Sequence, residues 1–122
     1  MNLLAQIVTA IVALIHIYIV LLETVLFDSQ GRKVFGLSRE KAEIVRPAMS
    51  NQGCYNGFLV AALALGLLHP DPAIAAAFVW FGLACIVVAG IWGGLTVKKT
   101  ILYIQAAPAA LALVLYHFSR VS

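Results

Sequence analysis

The sequence predicts an all-α integral membrane protein: a four-helix bundle with both termini outside and a long basic first loop in the cytoplasm. Three observations predict it. Of 122 residues, 63% are hydrophobic and 11% charged, with a mean hydropathy of +1.01, whereas an ordinary soluble domain has about 25% charged residues. Four stretches approach the length of about 20 mostly apolar residues that a bilayer-spanning helix needs. The basic residues gather in two of the segments that connect those stretches. The chain therefore reads as one transmembrane domain, 1–122, with spans at about 3–27, 47–68, 72–92 and 100–118.

The first span is an uninterrupted apolar run without a basic leader or a small-residue cleavage site, so a removed signal peptide is not expected. After it, Asp28 to Arg46 is the only sizeable polar segment. Ser38 is placed to cap a short interfacial helix there, with Ile44, Val45 and Met49 on its apolar side. Pro47 ends that piece or opens the second span. His69-Pro70-Asp71-Pro72 is a tight turn in which Asp71 caps the third span and Pro72 suits its first turn. Gly93-Gly94 is expected to close that helix. Pro108 is expected to kink the fourth, whose flanking alanines allow close packing.

The formal net charge is +3. Arg32, Lys33, Arg39, Lys41 and Arg46 lie in the first connection, Lys98 and Lys99 in the third, and Arg120 stands apart near the end. The positive-inside rule places the first and third connections in the cytoplasm. These residues suit orientation and contact with anionic membrane lipids, and no groove-reading element accompanies them, so nucleic acid is excluded as a partner. Cys54 and Cys85 have neither metal spacing nor a disulfide pattern and read as small buried thiols. No metal motif, nucleophile elbow or phosphate loop is present, and neither cofactor nor substrate is legible.

Polar groups at membrane depth are costly and mark function. Asn2, Thr9, His16 and Glu23 recur every seven residues, nearly two helical turns, so they form one stripe that should face the bundle. The second span opens with a polar face of Asn51, Gln52, Tyr55 and Asn56, beside a small-residue ridge of Gly53, Gly57 and Ala61. Depth puts Glu23, the Asn51–Asn56 face, and Thr100, Tyr103 and Gln105 of the fourth span at the cytoplasmic end. The expected site is a cytoplasm-facing polar pocket capped by basic loops. Arg46 either neutralises Glu23 or grips a ligand carboxylate or phosphate. Asn51, Gln52, Asn56, Tyr103 and Gln105 would orient the ligand, with His16 deeper on the stripe, while Glu23 and Tyr55 are the groups able to move a proton. His16 and His117 lie at different depths and cannot share a haem iron within one chain. Trp80 and Trp92 read as packing and interface anchors.

The run Arg46-Pro47-Ala48-Met49-Ser50-Asn51-Gln52-Gly53, followed by Tyr55-Asn56-Gly57-Phe58, resembles the small bacterial membrane proteins catalogued as domain of unknown function 1304. The likeness extends to His16, Glu23, Val34-Phe35-Gly36 and Gly90-Ile91-Trp92-Gly93. It implies four membrane helices in a bacterial inner membrane and no established activity. A more distant likeness is to membrane-associated eicosanoid and glutathione proteins, whose Arg and Asn at the start of helix two Arg46 and Asn51 would match. Those proteins continue to a Glu where Cys54 and Tyr55 stand here, and the Arg/Tyr pattern of their third helix is missing. Their architecture implies a trimer with ligand sites between protomers.

Three readings compete. The first is a protein that binds a small polar or amphipathic ligand at the inner leaflet, with enzymatic chemistry as one form of it. The second is a proton-coupled small-molecule transporter with Glu23 as coupling acid, which four helices would form only as a dimer. The third is a non-catalytic accessory membrane subunit. The polar groups gather on one side of the membrane, which favours the first.

Overall fold

The computed structural model describes residues 2–121, and every regular element among them is helical. In order these are α1 (Leu3–Glu23), a π-helical turn (Phe27–Gly31), the one-turn α2 (Arg32–Val34), α3 (Arg39–Leu68), α4 (Pro72–Thr96), a second π-helical turn (Leu102–Ala106) and α5 (Ala107–Val121). Among the described residues three helical stretches are long and apolar enough to cross a membrane: Leu3–Glu23, Pro72–Thr96 and Leu102–Ser119. The N-terminal part of α3 is polar, which keeps that helix out of the group. The side chain of Arg120, counted in the charge argument, lies outside the described residues.

Local chemistry sets the helix ends. Asn2 accepts the Ala5 N–H at 2.8 Å through its side chain and caps α1. Ser38 accepts the Lys41 N–H at 3.1 Å and caps α3. Asp71 accepts the N–H groups of Ala73 and Ile74 at 2.9 and 3.3 Å and caps α4, with Pro72 opening its first turn. Asp71→Ala is expected to cost about 1 kcal/mol, the usual value of such a cap, read as a lower unfolding temperature in mild detergent.

Three boundaries differ from expectation. The helix that Ser38 opens is not short, because α3 runs through Pro47 without a break. Pro47 cannot donate to the Glu43 carbonyl, but both residues are exposed, where water can take that carbonyl. Gly93 and Gly94 do not close α4, which continues to Thr96. They pack closely instead: a Cβ on Gly93 would meet an Ile101 methyl at 3.0 Å, and one on Gly94 would collide with Leu102. The disturbance expected from Pro108 appears one turn earlier. Pro108 lacks an N–H, and the turn before it widens so that the Ala107 N–H reaches the Leu102 carbonyl.

The chain divides into two units, Met1–Ile15 with Leu59–Ser122, and His16–Phe58. The first has a core of small and branched residues: Ala5 and Val12 from α1, Leu63 from α3, Val79, Leu83 and Ile86 from α4, and Ala109, Ala112 and Tyr116 from α5. Trp80 packs edge-on to Tyr116 with ring centres 5.8 Å apart, the packing role expected of it. In the second unit, Phe27 and Gly31 of the π turn are buried, and Gly31 lies so close to the Leu22 carbonyl that a Cβ would collide with it. Gly36, at φ +70°, makes the left-handed bend between α2 and α3 that other residues rarely adopt.

Candidate functional site

The second unit holds the candidate site. The end of α1 and the middle of α3 come together at Gly53, which is buried. A Cβ there would run into the Thr24 methyl and lie 3.3 Å from the Glu23 Cβ. The missing side chain lets the two helices approach until their polar groups touch. Asn56, three residues on from Gly53, donates from Nδ2 to Glu23 Oε1 at 2.6 Å. Glu23 is only 8% exposed, so this charge-assisted bond satisfies a carboxyl oxygen that water reaches poorly.

Arg46 has a different partner. Its Nη2 and Nε donate to Asp28 Oδ1 at 2.6 and 3.0 Å, closing an ion pair across the polar segment. The expected alternative, neutralisation of Glu23 by Arg46, is replaced by this pair, and the continuity of α3 explains why. Arg46 stands ten residues before Asn56, about 15 Å along an unbroken helix, too far to reach the carboxyl that Asn56 holds. The two members of the ion pair are 45% and 71% exposed, so it contributes at most about 1 kcal/mol.

The remaining expected site residues fall as follows. Thr9 and His16 are buried with Glu23, as the seven-residue stripe predicted, while Asn2 serves as the cap. Asn51, Gln52 and Tyr55 lie on the exposed face of α3, with Tyr55 edge-on to Phe58 at 5.7 Å. Cys54 is exposed on the same helix, not buried, and Cys85 is half-buried; both are free thiols. Tyr103 and Gln105 belong to the first unit, on the π turn that precedes α5; Tyr103 is exposed and Gln105 half-buried.

Sequence reasoning missed a neighbouring feature. Asp28, Arg32, Arg39, Ala42, Glu43 and Arg46 line an open cleft of about 470 Å³. Arg32 is steadied by donating from Nη1 to the Leu37 carbonyl at 3.2 Å. The available signal was the spacing Arg39, Glu43 and Arg46, at steps of four and three, which puts all three on one face of a helix.

Comparison with known proteins agrees with this sequence pattern. The model of the family described as protein of unknown function (DUF1304) matches residues 10–117. The chain belongs to the DUF1304 family. The uncharacterized protein YpaA of Lactococcus lactis subsp. lactis (strain IL1403) is 32% identical over 117 residues, covering 93% of this chain and 97% of that protein. No solved structure matches. The family match spans His16, Glu23, Arg46 and the Asn51–Asn56 face, and its description assigns them no activity.

Proposed function

We propose that this DUF1304 protein is a polytopic inner-membrane protein that binds a small polar or amphipathic ligand at a cytoplasm-facing polar site. The Glu23–Asn56 hydrogen bond carries the reading, because it ties a nearly buried carboxyl to a helix whose next polar side chains, Asn51, Gln52 and Tyr55, are exposed. Amides and a phenol at membrane depth need hydrogen-bond partners, which a bound ligand or a neighbouring copy in a homo-oligomer supplies. In this reading α3 from about Pro47 to Leu68 makes a fourth crossing, with its polar turns at the cytoplasmic end, and the basic segments face the cytoplasm by the positive-inside rule. Both termini then lie outside. Arg46 anchors an anionic group by exchanging it for Asp28, Asn51 and Gln52 fix orientation, and Glu23 or Tyr55 handles a proton if the site performs chemistry.

Native mass spectrometry of protein extracted in mild detergent tests this. The expected result is a defined small molecule held by the native chain and lost from Arg46→Ala and Asn51→Ala. A chain that emerges empty, or variants that keep the same added mass, would end the proposal.

A further inference from the structure

The cleft beside the Arg46–Asp28 pair has its own chemistry. Three guanidinium groups, Arg32, Arg39 and Arg46, face two carboxylates, Asp28 and Glu43, leaving one net positive charge among its lining residues. The guanidiniums differ in readiness. Arg32 is held by the Leu37 carbonyl and Arg46 by Asp28, whereas Arg39 has no side-chain partner among the described residues. Asp28 is 71% exposed, so its side chain is free to swing away and yield Arg46 to another oxyanion.

We infer that this cleft binds a phosphate group carried on a small alcohol. Planar guanidinium forks match the oxygens of phosphate, and several of them converging on one anion favour a tetrahedral group with three accessible oxygens over a single carboxylate. A volume of about 470 Å³, open on one side, admits a headgroup-sized molecule and leaves room for a chain to exit. The arginines begin nine residues after the end of α1, a helix long and apolar enough to cross a membrane, so they belong at the level where lipid phosphates lie. The site shares only Arg46 with the ligand site proposed above and needs neither Glu23 nor Asn56.

Two sources of the same chemistry, an anionic phospholipid headgroup and a soluble phosphate, are separated by one experiment. Delipidated full-length protein in mild detergent is titrated with phosphatidic acid and with phosphatidylcholine, and bound lipid is read by native mass spectrometry, with and without inorganic phosphate as competitor. Phosphatidic acid is expected to bind in preference to phosphatidylcholine. Arg39→Gln and Arg32→Gln should each weaken it about tenfold, the scale of one charge-assisted hydrogen bond, while Lys98→Gln/Lys99→Gln leaves it unchanged. Competition by inorganic phosphate would identify a soluble phosphate as a sufficient ligand, and its failure to compete would assign the site to lipid. Arg39 is exposed, so its replacement should not disturb folding, which the elution volume checks. Equal binding by the Arg32→Gln/Arg39→Gln double variant, or equal loss in the Lys98/Lys99 variant, overturns the inference.

Discussion

Asn56→Leu is expected to destabilise the protein by about 3 kcal/mol, because it leaves a nearly buried carboxyl without its donor. The hydrogen bond is short, 2.6 Å, and Glu23 is 8% exposed, so water cannot easily replace the amide. Glu23→Gln keeps an oxygen in place to accept from Asn56 and should cost only about 1 kcal/mol, the difference between a charged and a neutral hydrogen bond. The double variant Glu23→Leu/Asn56→Leu removes both polar groups and should recover much of the single-variant loss. Thermal unfolding in one detergent compares all three. Equal losses in Asn56→Leu and Glu23→Gln would show that the pair is not what holds these helices together.

Gly90→Val should have an effect at least as large, about 3 kcal/mol or more, in the other unit. A Cβ on Gly90 would lie 2.6 Å from the Ala106 backbone nitrogen, 2.8 Å from its Cβ and 2.9 Å from its Cα. None of these atoms is the far end of a flexible side chain, so α4 and the π turn must separate to admit even one methyl. Valine adds two more. Gly57→Val is the matched control, since a Cβ there meets nothing within 4 Å, and a helix interior tolerates valine at least as well as glycine. The measurement is the unfolding temperature of both variants side by side. Similar values would mean that the close approach at Gly90 contributes little to stability.

Much of this arrangement was legible in the sequence because it rests on period. The spacing of Thr9, His16 and Glu23 follows from helical geometry alone, and all three are buried. Asp71-Pro72 and Ser38 are local signals, and each makes the cap that its chemistry predicts. The partner of Glu23 was harder to read. Charge pointed to Arg46, but the choice between Arg46 and Asn56 depends on which residue of α3 faces the end of α1. That is decided by the helix continuing through Pro47 and by the gap at Gly53. The Arg46–Asp28 pair was hidden for a related reason: it spans a segment read as a polar connection with one short helix from Ser38, whereas Asp28 itself lies in a helical turn, Phe27–Gly31. Neither π turn leaves a mark in composition, since each is a change in which carbonyl accepts which N–H.

The widened turn at Leu102–Ala106 acts as a phase shifter along the last hydrophobic stretch. One residue more than usual is spent on that turn, so residues before and after it fall out of step by about 100° around the helix axis. A helical wheel drawn continuously from Ile101 to Phe118 therefore merges two faces that are distinct. Counted afresh from Ala106, the buried positions Ala106, Ala109, Ala112 and Tyr116 return to ordinary steps of three and four. In a relative that lacks this widened turn, the same residues aligned one for one would point to different neighbours, so a single-residue gap here carries as much structural meaning as a substitution in the core.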